Sequence, residues 1–188
     1  MKWLNACGYV WVVFLVIWLI TALQTKPTSR QEDFVGSLGY RILTIIGAFL
    51  LFDPRLAVGV LGLRVLPLSS MVAIAGFLLT VLGIGFAVWA RFFLGGNWSA
   101  MVTVKQNHEL VRSGPYAIVR HPIYSGISLA ALGTAITLGE VRGFLAVVLM
   151  VIGWRWKWGK EEVFMSQQFG QQYADYKRHV NALIPGIW

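Results

Sequence analysis

The chain has 188 residues, of which 57% are hydrophobic and 13% charged, and its mean hydropathy is +0.66. A soluble domain of this length needs far more charged surface, so the composition specifies an integral membrane protein with little room for a second domain. The net charge of +8 is read as cations flanking membrane helices, not as a nucleic-acid surface, because no basic stripe runs along a soluble element.

Residues 6–23 are 18 uncharged residues in a row, enough for a spanning helix. Lys2 and this run resemble the start of a signal peptide. The run is long for that role and no small-x-small cleavage site follows, so a retained first helix is expected. Gln24–Asp33 is polar, contains Pro27, and reads as a loop. The second span, Phe34–Phe52, is apolar except for Arg41 and ends at Asp53-Pro54-Arg55. Leu56–Leu63 is too short to cross and reads as an interfacial or re-entrant piece. Residues 65–90 form the longest uncharged run, with Pro67 and Ser69-Ser70 marking the helix start. A polar loop over 95–121 precedes a fourth span, 122–139, and Glu140–Gly143 reads as a tight hairpin.

The fifth apolar run, 143–154, has only 12 residues. At about 1.5 Å per residue that is roughly 18 Å, which cannot cross a ~30 Å core. The helix must continue through Trp154, Trp156 and Trp158, read as an aromatic belt with snorkelling cations, and project Glu161 and Glu162 into water. The expected architecture is therefore all-α, with about five transmembrane helices. Counting Lys and Arg, 12 fall on the side of the 24–33, 95–121 and C-terminal segments and four (Lys2, Arg55, Arg64, Arg142) on the other. The first side is expected to be cytoplasmic, which places both polar clusters together.

In the fourth helix Gly126, Ala130, Gly133 and Thr137 share one face. Close helix packing through small residues is the expected use of that face, with a cofactor lying against it as the alternative. Gly114-Pro115-Tyr116 and Arg120-His121-Pro122 frame a rigid entry to this helix. Pro122 suits its first turn, where free backbone donors favour an anionic group. His121 is either a helix-start residue satisfied by backbone or a functional one. Tyr116 and Tyr124 are interfacial anchors or site residues. Arg112 and Arg120 can serve orientation alone. Glu161 and Glu162 point about 100° apart, so they are not a facing acid pair. Lys157 and Glu161 stand at i and i+4, as an ion pair or as the rim of a pocket. The single Cys7 rules out an internal disulfide and a thiolate cluster. His108, His121 and His179 lack ligand spacing, so no metal is expected.

His108-Glu-Leu-Val111, Gly114-Pro-Tyr116, Arg120-His-Pro-Ile-Tyr124-Ser-Gly126, Glu161-Glu162, Phe169-Gly170, Tyr173, Tyr176 and Ile184-Pro185 resemble the isoprenylcysteine carboxyl methyltransferase family of membrane enzymes. The resemblance covers roughly residues 70–188. It implies S-adenosyl-L-methionine as methyl donor, in a cytoplasmic-side pocket built from the loop before helix four and the C-terminal segment. The implied cofactor contacts are His108, Glu109, Leu110, Val111, Tyr116, His121, Pro122, Ile123, Tyr124 and Glu161. The family has an Arg shortly before the Glu pair, near the substrate carboxylate. Here Lys157 stands at the matching distance and Arg155 half a turn earlier, and the two cations are not equivalent holders of a carboxylate. Residues 1–64 would then be two N-terminal helices with connecting segments, and 65–188 the methyltransferase core.

The expected activity is methyl transfer to a lipidic or prenylated acceptor entering from the bilayer, with a carboxylate as the acceptor the family implies. Catalysis would work by positioning, through Arg155, Lys157 and Glu161. A phospholipid or isoprenoid acceptor is an alternative. A nicotinamide-dependent membrane reductase is another, although no GxGxxG or other phosphate cradle is present. A non-catalytic membrane scaffold is the third.

Overall fold

The computed structural model of the chain describes residues 2–187. Five long helices dominate: α1 (Lys2–Ala22), α2 (Phe34–Phe52), α3 (Ser70–Leu94), α5 (Pro122–Leu138) and α6 (Val141–Phe169), with a short α4 (Pro115–Ile118) and a C-terminal α7 (Gln171–His179). The first three are long and apolar enough to cross a membrane; α5 is apolar but shorter. The fold is helical, as expected, with one short two-stranded ribbon added. Strands β1 (Thr28–Gln31) and β2 (Thr103–Lys105) pair antiparallel, joining two segments that read as loops in the sequence. Short polar stretches carry no apolar alternation, so nothing local announces this ribbon.

The helix boundaries follow from capping. Asp33 accepts from the Gly36 N–H at 2.7 Å to start α2, and Ser69 accepts from Met71 at 3.2 Å to start α3. Leu56–Leu63 folds into two 3-10 turns, Pro54–Leu56 and Gly59–Gly62, instead of a span. α5 ends at Gly139, whose φ of 69° an L side chain adopts only under strain. The chain then turns straight into α6.

α3 and α5 form the central antiparallel pair. Gly76, Thr80, Gly83 and Ala87 on α3 meet Gly126, Ala130, Gly133 and Thr137 on α5. A Cβ on Gly83 would stand 2.4 Å from the Ala130 nitrogen and 2.6 Å from the Gly126 carbonyl oxygen. The small face of α5 is therefore consumed by helix packing, and a cofactor cannot lie against it. α1 lies along α3, with Cys7 beside Thr80 and the Trp11 indole donating to Thr134 at 2.9 Å. α2 lies antiparallel to α6, with Gly47 against Met150 and Gly39 against Trp156.

Both ends are tied by buried arginines. At one end Arg142 donates to the carbonyls of Leu50 and Asp53, satisfying the free C-terminus of α2, and pairs with Glu140 at 2.7 Å. At the other, Arg91 donates to Thr21 O at 2.6 Å and Gly95 O at 2.8 Å and lies 4.6 Å over the Trp98 ring. The loops after α1 and α3 and the tail after α6 all gather at this second end, around the ribbon. At 29 residues α6 is about 44 Å long. Its apolar part ends near the Trp stretch, and the remainder runs on at the ribbon end. That stretch is not a uniform belt. Trp154 and Trp158 turn inward onto Tyr124 and His121, while Trp156 faces α2.

Candidate functional site

A cavity of about 920 Å³ opens at the ribbon end. Pro122 at the first turn of α5 sets the chain direction so that His121 and Tyr124 emerge toward α6. The C-terminal tail folds back over this entry. The amides of Arg120 and His121 donate to Asn181 O (2.8 Å) and Ala182 O (2.9 Å), and the Ser125 hydroxyl to Leu183 O (2.6 Å). The tail thus pairs with the loop before α5 much as a strand would.

Adjacent glutamates on α6 serve different partners, as their angular separation requires. Glu162 faces the tail. It accepts from Arg120 Nε and Nη2 at 3.0 and 2.8 Å, lies 2.8 Å from Lys177 Nζ, and stands 3.2 Å from His121 Nε2. Burial would raise its pKa, but the hydrogen bonds from His121, Lys177 and Arg120 outweigh that and hold the carboxyl well below the usual range. Glu161 faces the cavity. Its Oε1 accepts from the Tyr124 hydroxyl at 2.6 Å and lies 3.9 Å from Lys157 Nζ; its Oε2 is 3.8 Å from His121 Nδ1. His121 stacks on Trp158 with ring centroids 5.7 Å apart, which fixes the imidazole between the two carboxylates.

The loop from β2 supplies the opposite wall. His108 Nδ1 accepts the Lys105 N–H at 3.1 Å, so that nitrogen is unprotonated. Burial and the nearby charges of Lys26 and Lys105 lower the His108 pKa, which keeps the ring neutral with Nε2 as its donor. Lys26 reaches Asn107 O at 3.0 Å and Glu109 at 3.9 Å, pinning this loop to the first one. Lys157 donates to Ala100 O at 2.9 Å, so α6 also holds the segment that covers the cavity.

Of the cofactor contacts expected from sequence, His108, Glu109, Leu110, Val111, Tyr116, His121, Ile123, Tyr124 and Glu161 all line this one cavity. Pro122 does not. It is fully buried at the first turn of α5 and shapes the entry without facing the hollow. Lys157 lines the cavity, whereas Arg155 is exposed and faces a separate shallow groove with Glu162 and Lys177. Residues two apart on a helix point about 160° apart when two steps of roughly 100° are taken; Arg155 and Lys157 therefore leave α6 on opposite sides.

Sequence reasoning missed the walls given by the first two helices. Phe14, Leu15, Trp18 and Leu19 of α1 and Tyr40, Arg41, Thr44 and Ile45 of α2 line the same cavity. Leu15, Leu19 and Ile45 are more than half exposed, so on this side the hollow opens between helices, at bilayer depth. Glu32 was also missed. It accepts from the Val102 amide (3.0 Å) and from the Tyr40 hydroxyl and lies 3.1 Å from Lys160, joining ribbon, α2 and α6. Arg41, alone in an apolar run, is the one signal that the second helix has a polar task.

Fold and site together define a polytopic helical membrane protein whose loop-end cavity is polar toward the tail and apolar toward the bilayer. The sequence model of the phospholipid methyltransferase family matches residues 71–172, more than half of the chain. The chain belongs to that family. It is 33% identical over 118 residues to the protein-S-isoprenylcysteine O-methyltransferase of Rattus norvegicus, covering 60% of this chain and 41% of that one. It is 30% identical over 117 residues to protein-S-isoprenylcysteine O-methyltransferase B of Arabidopsis thaliana, covering 60% and 58%. The chain thus spans only about half the length of these relatives. Among solved structures it resembles a eukaryotic intramembrane Ras methyltransferase, isoprenylcysteine carboxyl methyltransferase. There the TM-score is 0.54 and the identity 25%, over 81% of this chain and 52% of that one.

Proposed function

We propose that this protein is an S-adenosyl-L-methionine-dependent methyltransferase that acts on a lipidic or prenylated acceptor, with a carboxylate as the methyl-accepting group. The observation that carries this reading is the single cavity with two chemistries. One end offers Glu161, Tyr124, Tyr116, His121 and the 108–111 loop; the other offers apolar side chains open to the bilayer. Its volume lies at the upper end of ligand pockets, which run from about 300 to 1,000 Å³, so a cofactor and the head of an acceptor fit together. Family membership speaks against the reductase and scaffold alternatives.

The residues present fit the donor. Glu161 keeps Oε2 available for an amine or ribose hydroxyl, since Tyr124 occupies Oε1. Aromatic faces at Tyr116 and Tyr124 suit a cation. S-adenosylmethionine supplies an electrophilic methyl group on a sulfonium. An acceptor carboxylate is already ionised at neutral pH, so the chain needs no general base, and its work is alignment and exclusion of water. Lys157, held by Glu161 and Ala100 O, faces the cavity as the cation that steers the carboxylate. The cover formed by the ribbon and residues 98–101 keeps water from that end. The cytoplasmic side is assigned to the ribbon end because that end gathers most of the Lys and Arg.

A phospholipid amine is the second reading, favoured by the matched family model. Such an acceptor has to lose a proton and to sit beside Lys157, which disfavours it. The test is transfer of a labelled methyl group from S-adenosylmethionine to extracted lipids and to an S-farnesylated N-acetylcysteine. Label in an alkali-labile ester of the farnesylated acid supports the carboxylate reading. Label only in an alkali-stable lipid amine overturns it.

A further inference from the structure

The cavity contains a cation that the proposed chemistry leaves unused. Arg41 lies two turns into α2, in a helix otherwise free of charge. An arginine there is costly unless it faces a polar or water-filled space. It sits on the flank of the buried stripe Ser37, Tyr40 and Gly47, and together with Thr44 and Ile45 it lines the cavity. Its guanidinium lies 5.6 Å over the Phe34 ring, drawn up toward the ribbon end, and is half-buried. Among the described residues no carboxylate pairs with it. Glu32 is taken by Lys160 and Tyr40, and Glu161 by Lys157 and Tyr124.

α1 and α2 meet at Trp11 and Phe52, with ring centroids 5.7 Å apart. From there toward the ribbon end the cavity runs between them, walled by Leu15 and Leu19 on one side and Ile45 on the other. An apolar chain lying in that cleft would carry its head group to the level of Arg41, with Lys157 of the neighbouring α6 lining the same cavity. Two cations with one shared space suit an anion and repel an amine.

We propose that Arg41 is a specificity-determining anchor for the acceptor's anionic head, selecting lipids that present an acid over those that present a neutral or cationic group. This rests on reading the cavity as a joint donor and acceptor site. Arg41 lies outside residues 71–172, the part matched to the family's sequence model, so the selectivity is carried by the N-terminal helices. A cation placed only to orient the helix would be indifferent to what enters the cavity.

The test uses the full chain in phospholipid nanodiscs, with S-farnesyl-N-acetylcysteine and its methyl ester as probes that differ only in charge. Affinities are measured for the wild type, Arg41→Gln and Arg41→Lys, and S-adenosylhomocysteine is titrated into each. Loss of a charge-assisted hydrogen bond weakens binding by about tenfold to a hundredfold. The wild type is expected to prefer the acid by at least that lower factor. Arg41→Gln should lose about tenfold of the preference, Arg41→Lys should keep part of it, and S-adenosylhomocysteine affinity should stay the same in all three. An unchanged acid-to-ester ratio in Arg41→Gln overturns the proposal, as does a wild type that does not prefer the acid. The S-adenosylhomocysteine titration reports on the donor reading separately: its failure in the wild type removes that reading whatever the ratio shows.

Discussion

Glu162 shows how one side chain holds a site without facing it. Arg120, His121 and Lys177 converge on its carboxylate, so Glu162 ties both the loop before α5 and the C-terminal tail to α6. Glu162→Gln keeps the shape but removes the charge, leaving Arg120 half-served in a nearly enclosed position. A loss of about 1–3 kcal/mol is expected, read as faster hydrogen exchange of residues 176–183 and a lower unfolding midpoint. Because the folded pKa of Glu162 is depressed, this contribution is complete above its ordinary value of 4.5 and declines as pH falls below it. Wild-type tail protection should therefore be the same at pH 7 and 5.5 and begin to fall only under about 4.5; the Gln variant should lack that acid limb. The Glu-Glu pair is visible in the sequence, but its division of labour is not. Helical geometry shows that the two point apart, whereas the partners of Glu162 come from 42 and 41 positions earlier, Arg120 and His121, and from Lys177 in the tail.

At the scale of elements, the close approach of α3 and α5 holds the central pair of helices together. Gly83 and Gly85 lie in the same apolar helix, yet they differ sharply. A methyl at Gly83 meets backbone atoms of α5 at 2.4–2.6 Å, and one at Gly85 meets nothing within 4 Å. Gly83→Ala is expected to destabilise by about 1–3 kcal/mol or more, because backbone cannot step aside as a side chain can. Gly85→Ala should be neutral or slightly stabilising through helix propensity. Thermal unfolding of both variants in one detergent checks the contrast, and equal midpoints would contradict the packing described. The small residues of α5 were readable as a packing face because their spacing alone specifies it. The ribbon was not, because three- and four-residue strands of Thr, Ser, Arg, Gln, Val and Lys bear no period that separates them from a loop. The five long helices were legible from run length and, for α3, from Ser69-Ser70 at its start; the Asp33 cap of α2 was seen only in the structure.

The whole molecule is a cup assembled from distant pieces of chain. The 95–121 loop and the tail beyond α6 form the polar half, and the motif residues His108–Val111, Tyr116, His121, Ile123, Tyr124 and Glu161 lie on its wall. The charge count foretold that these pieces share one end. The apolar half was illegible, because Leu15, Leu19 and Ile45 look like any lipid-facing residue until α1 and α2 are seen to part around a hollow. Two of the expected residues lie off this wall for the same local reason. Arg155 and Pro122 sit in the right motifs, but helix phase turns Arg155 into another groove and the first turn of α5 buries Pro122.

The measurement that bears most directly on the account is calorimetric titration of S-adenosylhomocysteine into the purified chain, alongside Glu161→Ala. One saturable site per chain is expected in the wild type, weakened by at least about tenfold in the variant, as befits loss of a charged hydrogen-bond partner. No heat from the wild type, or the same affinity in Glu161→Ala, would contradict a methyl-donor site in this cavity.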